Sequence, residues 1–251
     1  MKNGLILSGG GARGFAHLGV LQALDELDVH VDIISGASAG AVAGAFYFSG
    51  HKPGETLKFI RSYKFYQWAR FLWRKPGILN MEKIGKLFAN YLPDTFEKLD
   101  RPLIIATTDI LKGELRYFNS GKLIPAVCAS ACIPMMFEPI KIDGSEYIDG
   151  GILNNFPIEP LFGKVENLIG VHVNPINRVE SRVSFKNIMD RSMHLALDKA
   201  VREKEILCKV FIEPKGCGDF GMLELGSADK IFKVGYDAAM EQKDQLLALK
   251  K

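Results

Sequence analysis

Gly4-Leu5-Ile6-Leu7-Ser8-Gly9-Gly10-Gly11-Ala12-Arg13-Gly14-Phe15 opens on a short apolar run, turns through glycines and leads into an amphipathic segment. The run from Gly4 to Ser8 has the length of a buried strand. From Phe15 to Leu27, Leu18, Leu21, Ala23, Leu24 and Leu27 fall at helical spacing, which predicts a helix. Working outward, the same alternation recurs. Strands are predicted over 29–35, 103–107, 167–173 and 209–213, and helices over 39–48, 122–130, 185–207 and 228–249. Strands alternating with helices imply an α/β fold with a mostly parallel sheet covered on both faces. No repeat, low-complexity tract or linker divides the chain, so residues 1–251 read as one domain, with the informative motifs within 4–157.

A hydrophobic share of 47% beside 24% charged residues is typical of a soluble globular protein. A net charge of +3 without a dense basic stripe argues against nucleic-acid binding. The apolar run before Ser8 is too short for a signal-peptide core, and the stretch from Ala37 to Ser49 is too short to span a membrane. The expectation is a cytoplasmic protein. Cys128, Cys132, Cys208 and Cys217 are too few for a disulfide framework. Without a second close pair or a nearby histidine, Cys128 and Cys132 read as buried thiols, and no metal or cofactor is expected.

Three segments carry chemistry. Gly9 to Gly14 lets the backbone turn sharply and present N–H groups at a helix start, a geometry suited to any anion. It also fits the dinucleotide pattern Gly-x-Gly-x-x-Gly, but Asp32 sits too early to hold a ribose at the end of the second strand. Gly36-Ala37-Ser38-Ala39-Gly40 matches Gly-x-Ser-x-Gly between a strand and a helix. Such a turn either strains and exposes a nucleophilic serine, or simply packs tightly with the serine as a helix cap. The third segment is Tyr147-Ile148-Asp149-Gly150-Gly151-Ile152-Leu153-Asn154-Asn155-Phe156-Pro157. Asp143-Gly144, upstream, has a strand-like run on each side and reads as a hairpin turn. Asp149 instead reads as a loop residue that leads into irregular chain.

Taken together and in this order, the three segments resemble the patatin-like phospholipase family. Weaker matches are Ala129-Ser130-Ala131 with Pro134, Phe137 and Pro139, and Val171-His172-Val173 running into Asn174-Pro175. The resemblance implies a three-layer α/β/α fold and a lipid acyl hydrolase that uses a Ser–Asp dyad without a metal. It makes Ser38 the nucleophile and Asp149 the base. Gly9, Gly10, Gly11 and Arg13 become the oxyanion-hole set, the amides of Gly10 and Gly11 donating and Arg13 fixing the loop. By analogy with other hydrolase elbows, the Ala39 amide is a further donor. The resemblance also implies a lipid or acyl-ester substrate, and a peripheral membrane contact is a further expectation.

Of the histidines, His172 alternates with apolar residues in a strand and His194 falls inside a predicted helix, so both read as structural. His17 lies near the glycine loop and reads as packing there. The aromatics from Tyr63 to Trp73, interleaved with Lys64 and Arg70, fit a membrane interface, a buried aromatic helix or a cap on an acyl pocket.

Overall fold

The computed structural model describes residues 2–62, 81–177 and 185–250; the aromatic stretch from Tyr63 to Trp73 lies outside the described residues. The strands are β1 (Asn3–Leu7), β2 (Ile33–Ala37), β3 (Leu103–Asp109), β4 (Glu114–Phe118), β5 (Ile140–Ile142), β6 (Ser145–Asp149), β7 (Asn167–Val171) and β8 (Val210–Ile212). Between them lie α1 (Phe15–Glu26), α2 (Ala39–Phe48), α3 (Pro53–Arg61), α4 (Glu82–Phe88), α5 (Leu123–Ser130), α6 (Gly151–Asn154) and α7 (Phe185–Glu205). The chain closes on α8 (Ala228–Glu241) and α9 (Lys243–Leu247).

One sheet runs β5-β6-β3-β2-β1-β7-β8, with β4 also on β3. The stretch from β3 to β8 is parallel throughout, whereas β4, β5 and β6 add antiparallel pairs. The expected mostly parallel sheet is therefore its central part; at the antiparallel edge, β5 and β6 form the hairpin read at Asp143-Gly144, while β4 is what the sequence pattern does not predict. Successive residues of β1 point to opposite faces. Leu5 and Leu7 join Ile34, Leu103, Ile105, Ile169 and Val171 in a core with α1, α2, α5 and α8. Ile6 joins Ile33 and Ile104 against Phe156, Ile158, Leu161 and, from α7, Val201. Helices thus cover both faces.

Several boundaries shift by one or two residues, and two elements depart further from the sequence reading. The second strand begins at Ile33, because the Val29 amide still bonds to Leu24 O and completes the end of α1. It runs on to Ala37 and delivers Ser38 directly at its end. The last helix breaks at Gln242. The sequence pattern predicts neither β4 nor α3; β4 is half exposed and mixed in polarity, without clean alternation.

Where α1 crosses α8, a Cβ on Gly235 would lie 2.1 Å from the Ala16 carbonyl oxygen, so only glycine allows this approach. Gly54 in α3 has nothing within 4 Å of its added Cβ. The same substitution should therefore have opposite signs. Gly54→Ala should stabilise by up to about 1 kcal/mol through helix propensity. Gly235→Ala should destabilise by about 1–3 kcal/mol through overpacking. Urea unfolding of both variants measures this, and a stabilised Gly235→Ala would contradict the packing.

Candidate active site

β3 sets the geometry of the site. Its residues 103–106 pair with β2, ending at Ala37 opposite Ala106. Its residues 107–109 pair with β6, where Asp149 stands opposite Thr107. Because β4 occupies the other edge over 105–109, β2 and β6 lie end to end along one edge of β3. The parallel strand and the antiparallel strand thus run towards each other and stop at neighbouring registers. Ser38 comes directly after the first, and Asp149 ends the second.

The contact that results is short. Ser38 Oγ donates to Asp149 Oδ2 at 2.6 Å, with both residues buried. Ser38 has φ 50° and ψ −122°, a conformation that costs a non-glycine residue about 1–3 kcal/mol. It precedes α2 and makes no cap bond to that helix, so the capping reading of this serine does not hold. Asp149 is a strand residue rather than a loop residue, and the short helix α6 begins two positions later. Its amide donates to Cys132 O at 3.0 Å, its carbonyl accepts from Thr108 Oγ1 at 2.9 Å, and its Oδ1 accepts from the Gly151 amide at 2.7 Å. Burial pushes the Asp149 carboxyl up from 3.8 to about 6, while the bonds from Ser38 and Gly151 pull it back.

The glycine loop faces this pair. Gly10 and Gly11 line one cavity with Ser38, Asp149, Ile133, Pro134, Asn155, Asn174, Leu197 and Met222. Among the described residues, the amides of Gly10, Gly11 and Ala39 have no hydrogen-bond partner. Gly9 differs: its amide donates to Asn155 O at 3.2 Å and its carbonyl accepts from Asn174 Nδ2 at 2.6 Å. Its backbone is therefore occupied in holding the loop. Arg13 is buried, donates from Nε to Phe220 O at 2.8 Å and from Nη1 to Asn174 Oδ1 at 3.3 Å, and does not line the cavity. Asn155 and Asn174 belong to the sequence pattern, but their bracing of Gly9 is not readable from it. Met222, whose carbonyl takes the Ala12 amide at 2.7 Å, carries no sequence signal at all.

A second cavity, of about 180 Å³, opens beside Ser38 and Gly11. Phe15, Leu18, Val42, Ile84, Phe88 and Phe137 line it, and Ser38 and Thr56 supply the only hydroxyls among its described lining residues.

Other candidates lie elsewhere. Asp32 accepts from the Asn3 amide at 2.7 Å, at the opposite end of the parallel strands from the glycine loop. That separation removes it as a ribose ligand. His17 is buried with Nε2 donating to Ser8 O at 2.7 Å, and burial lowers it to about 4. His172 is buried and donates from Nδ1 to Glu213 Oε1 at 3.2 Å. His51 bonds to Tyr91 O, and His30 pairs with Asp32. His194 lies in α7, with its side chain outside the described residues. Cys128 and Cys132 are buried thiols pushed up to about 12 by burial.

No helix among the described residues is long and apolar enough to cross a membrane. Residues 5–162 match the family model of patatin-like phospholipases. Over 198 residues the chain is 35% identical to the NTE family protein Mb1092c of Mycobacterium bovis, covering 73% of this chain and 52% of that protein. It is 28% identical over 269 residues to lysophospholipase nte1 of Aspergillus fumigatus, covering 93% of this chain and 18% of that one. The chain thus spans about half the length of the first of these relatives and far less of the second. Among solved structures, VipD from Legionella pneumophila shares the fold with a TM-score of 0.59 at 17% identity, over 97% of this chain and 67% of that one. The type III effector ExoU of Pseudomonas aeruginosa gives 0.51 at 16%, over 98% and 53%. The match over residues 5–162 is more than half of the chain, and the chain belongs to the patatin-like phospholipase family.

Proposed function

We propose that this chain is a serine lipid acyl hydrolase of the phospholipase A type, cleaving fatty-acyl ester bonds of phospholipids or related lipids. The observation that carries the reading is a strained serine, 2.6 Å from a buried carboxylate, at the mouth of an apolar cavity. Ser38 is the nucleophile and Asp149 the base. As Ser38 Oγ bonds to the acyl carbon, its proton passes to Asp149 Oδ2. The carbonyl oxygen takes the negative charge and accepts from the amides of Gly10 and Gly11, with Ala39 as a further donor at the start of α2. One such donor is worth about 3–4 kcal/mol. The ester C–O bond then breaks, and the leaving alkoxide takes the proton from Asp149. Water repeats the sequence in reverse: it gives a proton to Asp149, attacks the acyl-enzyme, and Ser38 recovers its proton as the acid leaves.

Arg13, through Phe220 and Asn174, holds the loop rather than the oxyanion. The apolar cavity favours a fatty-acyl chain over the small acyl groups of a soluble esterase or thioesterase. The strain at Ser38 favours catalysis over passive lipid binding, since binding alone does not need it. The names of the relatives, lysophospholipase among them, point the same way. The reading takes residues 1–251 as one acyl hydrolase domain, meeting its substrate by a peripheral membrane contact.

A fluorophosphonate should label Ser38, and Ser38→Ala should abolish hydrolysis of a chromogenic ester and of phospholipid alike. Labelling elsewhere, with Ser38→Ala still active, would overturn the assignment. With the wild-type protein, a preference for long over short acyl chains is expected; the reverse would favour the small-esterase reading.

The base makes its own prediction. A base must be ionised, so kcat/KM should fall below about pH 6. A limb near pH 4, the range of an exposed carboxylate, would remove Asp149 from the role. The same shift has a stability consequence. The folded pKa is raised, so the contribution of the neutral carboxyl is complete below about 3.8 and is lost as pH rises through about 6. At pH 8 the ionised group costs up to about 3 kcal/mol. Asp149→Asn should be inactive, as stable as wild type near pH 4, and more stable at pH 8 by urea unfolding. An Asp149→Asn protein that is less stable at pH 8 would show that the carboxylate is well solvated.

A further inference from the structure

We infer that Ser130 is a positioning residue that, with Cys132, sets the spacing between Ser38 and Asp149; the inference rests on the proposed serine-hydrolase reading. Ser130 is the last residue of α5 and is fully buried. Its Oγ accepts the Ser38 amide at 2.9 Å and donates to the Ala106 carbonyl at 2.7 Å. Two residues on, the Cys132 carbonyl accepts the Asp149 amide at 3.0 Å. A single short segment thus grips the backbone of both members of the pair.

The chemistry of a hydroxyl suits this place. At the turn between β2 and α2, the Ser38 amide points away from both the strand ladder and the helix, so it needs an acceptor from outside. The Ala106 carbonyl needs a donor. One hydroxyl supplies both, and because its proton is committed to Ala106, its lone pair is left facing Ser38. This relay ties the strained residue to β3, the strand on which Asp149 is also registered through Thr107. Alanine at 130 would leave a buried amide and a buried carbonyl unpaired, and the strained turn would relax. The hydrogen bond from Ser38 to Asp149 would lengthen. Because that bond lowers the Asp149 pKa, its weakening moves the carboxyl upward.

The test is a kinetic comparison of wild type, Ser130→Ala, Ser130→Cys and Ser38→Ala on a soluble short-chain ester, across pH, at a temperature where circular dichroism shows each folded. Ser130→Ala should lower kcat at least about tenfold with little change in KM, slow fluorophosphonate labelling of Ser38 in proportion, and move the acid limb to higher pH. Ser130→Cys, which keeps a weak donor and acceptor, should recover part of the rate. A Ser130→Ala protein with a lowered melting temperature but unchanged kcat and unchanged acid limb would make Ser130 a purely structural residue. If Ser38→Ala keeps wild-type activity, the hydrolase reading fails instead, whatever Ser130→Ala does. Should Ser130→Ala not fold, Ser130→Cys carries the test: a normal kcat at a normal acid limb, with its donor and acceptor weakened, would overturn the inference.

Discussion

The bond from Ser38 to Asp149 is available only because two strands of opposite direction stop against each other on β3. A parallel strand ends at Ala37, an antiparallel one at Asp149, and they face Ala106 and Thr107. Everything near this junction must be small. A Cβ on Gly150 would lie 2.0 Å from the Ala106 carbonyl oxygen, so the residue after Asp149 has to be glycine for β6 to end where it does. The antiparallel edge of the sheet therefore places the carboxylate: β6 runs towards β2 along β3 and ends at Asp149, whose Oδ2 lies 2.6 Å from Ser38 Oγ.

Burial then gives the carboxylate its strength. An aspartate in water is a feeble base towards an alcohol; burial raises Asp149 to about 6, which supports the base role proposed for it. The rise is limited by the Ser38 hydroxyl and the Gly151 amide, both of which favour the ionised form. The two influences leave the group ionised at neutral pH yet more basic than usual. Withdrawal from water and retention of charge are set by different atoms, so each can be altered separately.

What is legible in the sequence is local. The glycine loop, the serine turn and the Asp-Gly-Gly triplet each declare themselves within a few residues, because small side chains are required at a sharp turn. The helix over 39–48 matches its predicted bounds to the residue, since the turn fixes its start. What stays hidden depends on distant partners. Ser130 meets Ser38 across 92 positions and Asn174 meets Gly9 across 165; both residues fall in the weaker pattern matches, but nothing in the sequence names their partners. β4 escapes notice because, paired only with β3 among the described residues, it is half exposed and its side chains are mixed. Asp149 reads as a loop residue because the glycines after it signal a turn; they do, but the turn begins a helix.

His17 and His172 are committed to partners other than Ser38. His17 sits beneath the glycine loop, but its Nε2 donates to the Ser8 carbonyl and burial lowers the ring to about 4, which leaves it neutral at pH 7. His172, one residue past β7, is turned towards Glu213, which Arg202 also binds. Each ring braces a strand end next to the site, and neither bonds to Ser38. Hydroxyl and carboxylate meet directly, and the Asp149 pKa is set by burial against the bonds from Ser38 and Gly151. The apolar cavity opens beside this pair, lined by Phe15, Val42, Phe88 and Phe137. On the proposed reading, an acyl chain seated there would displace water beside Asp149, and withdrawing water from a carboxylate raises its pKa. Chain binding and proton transfer would then be coupled through the water that both exclude.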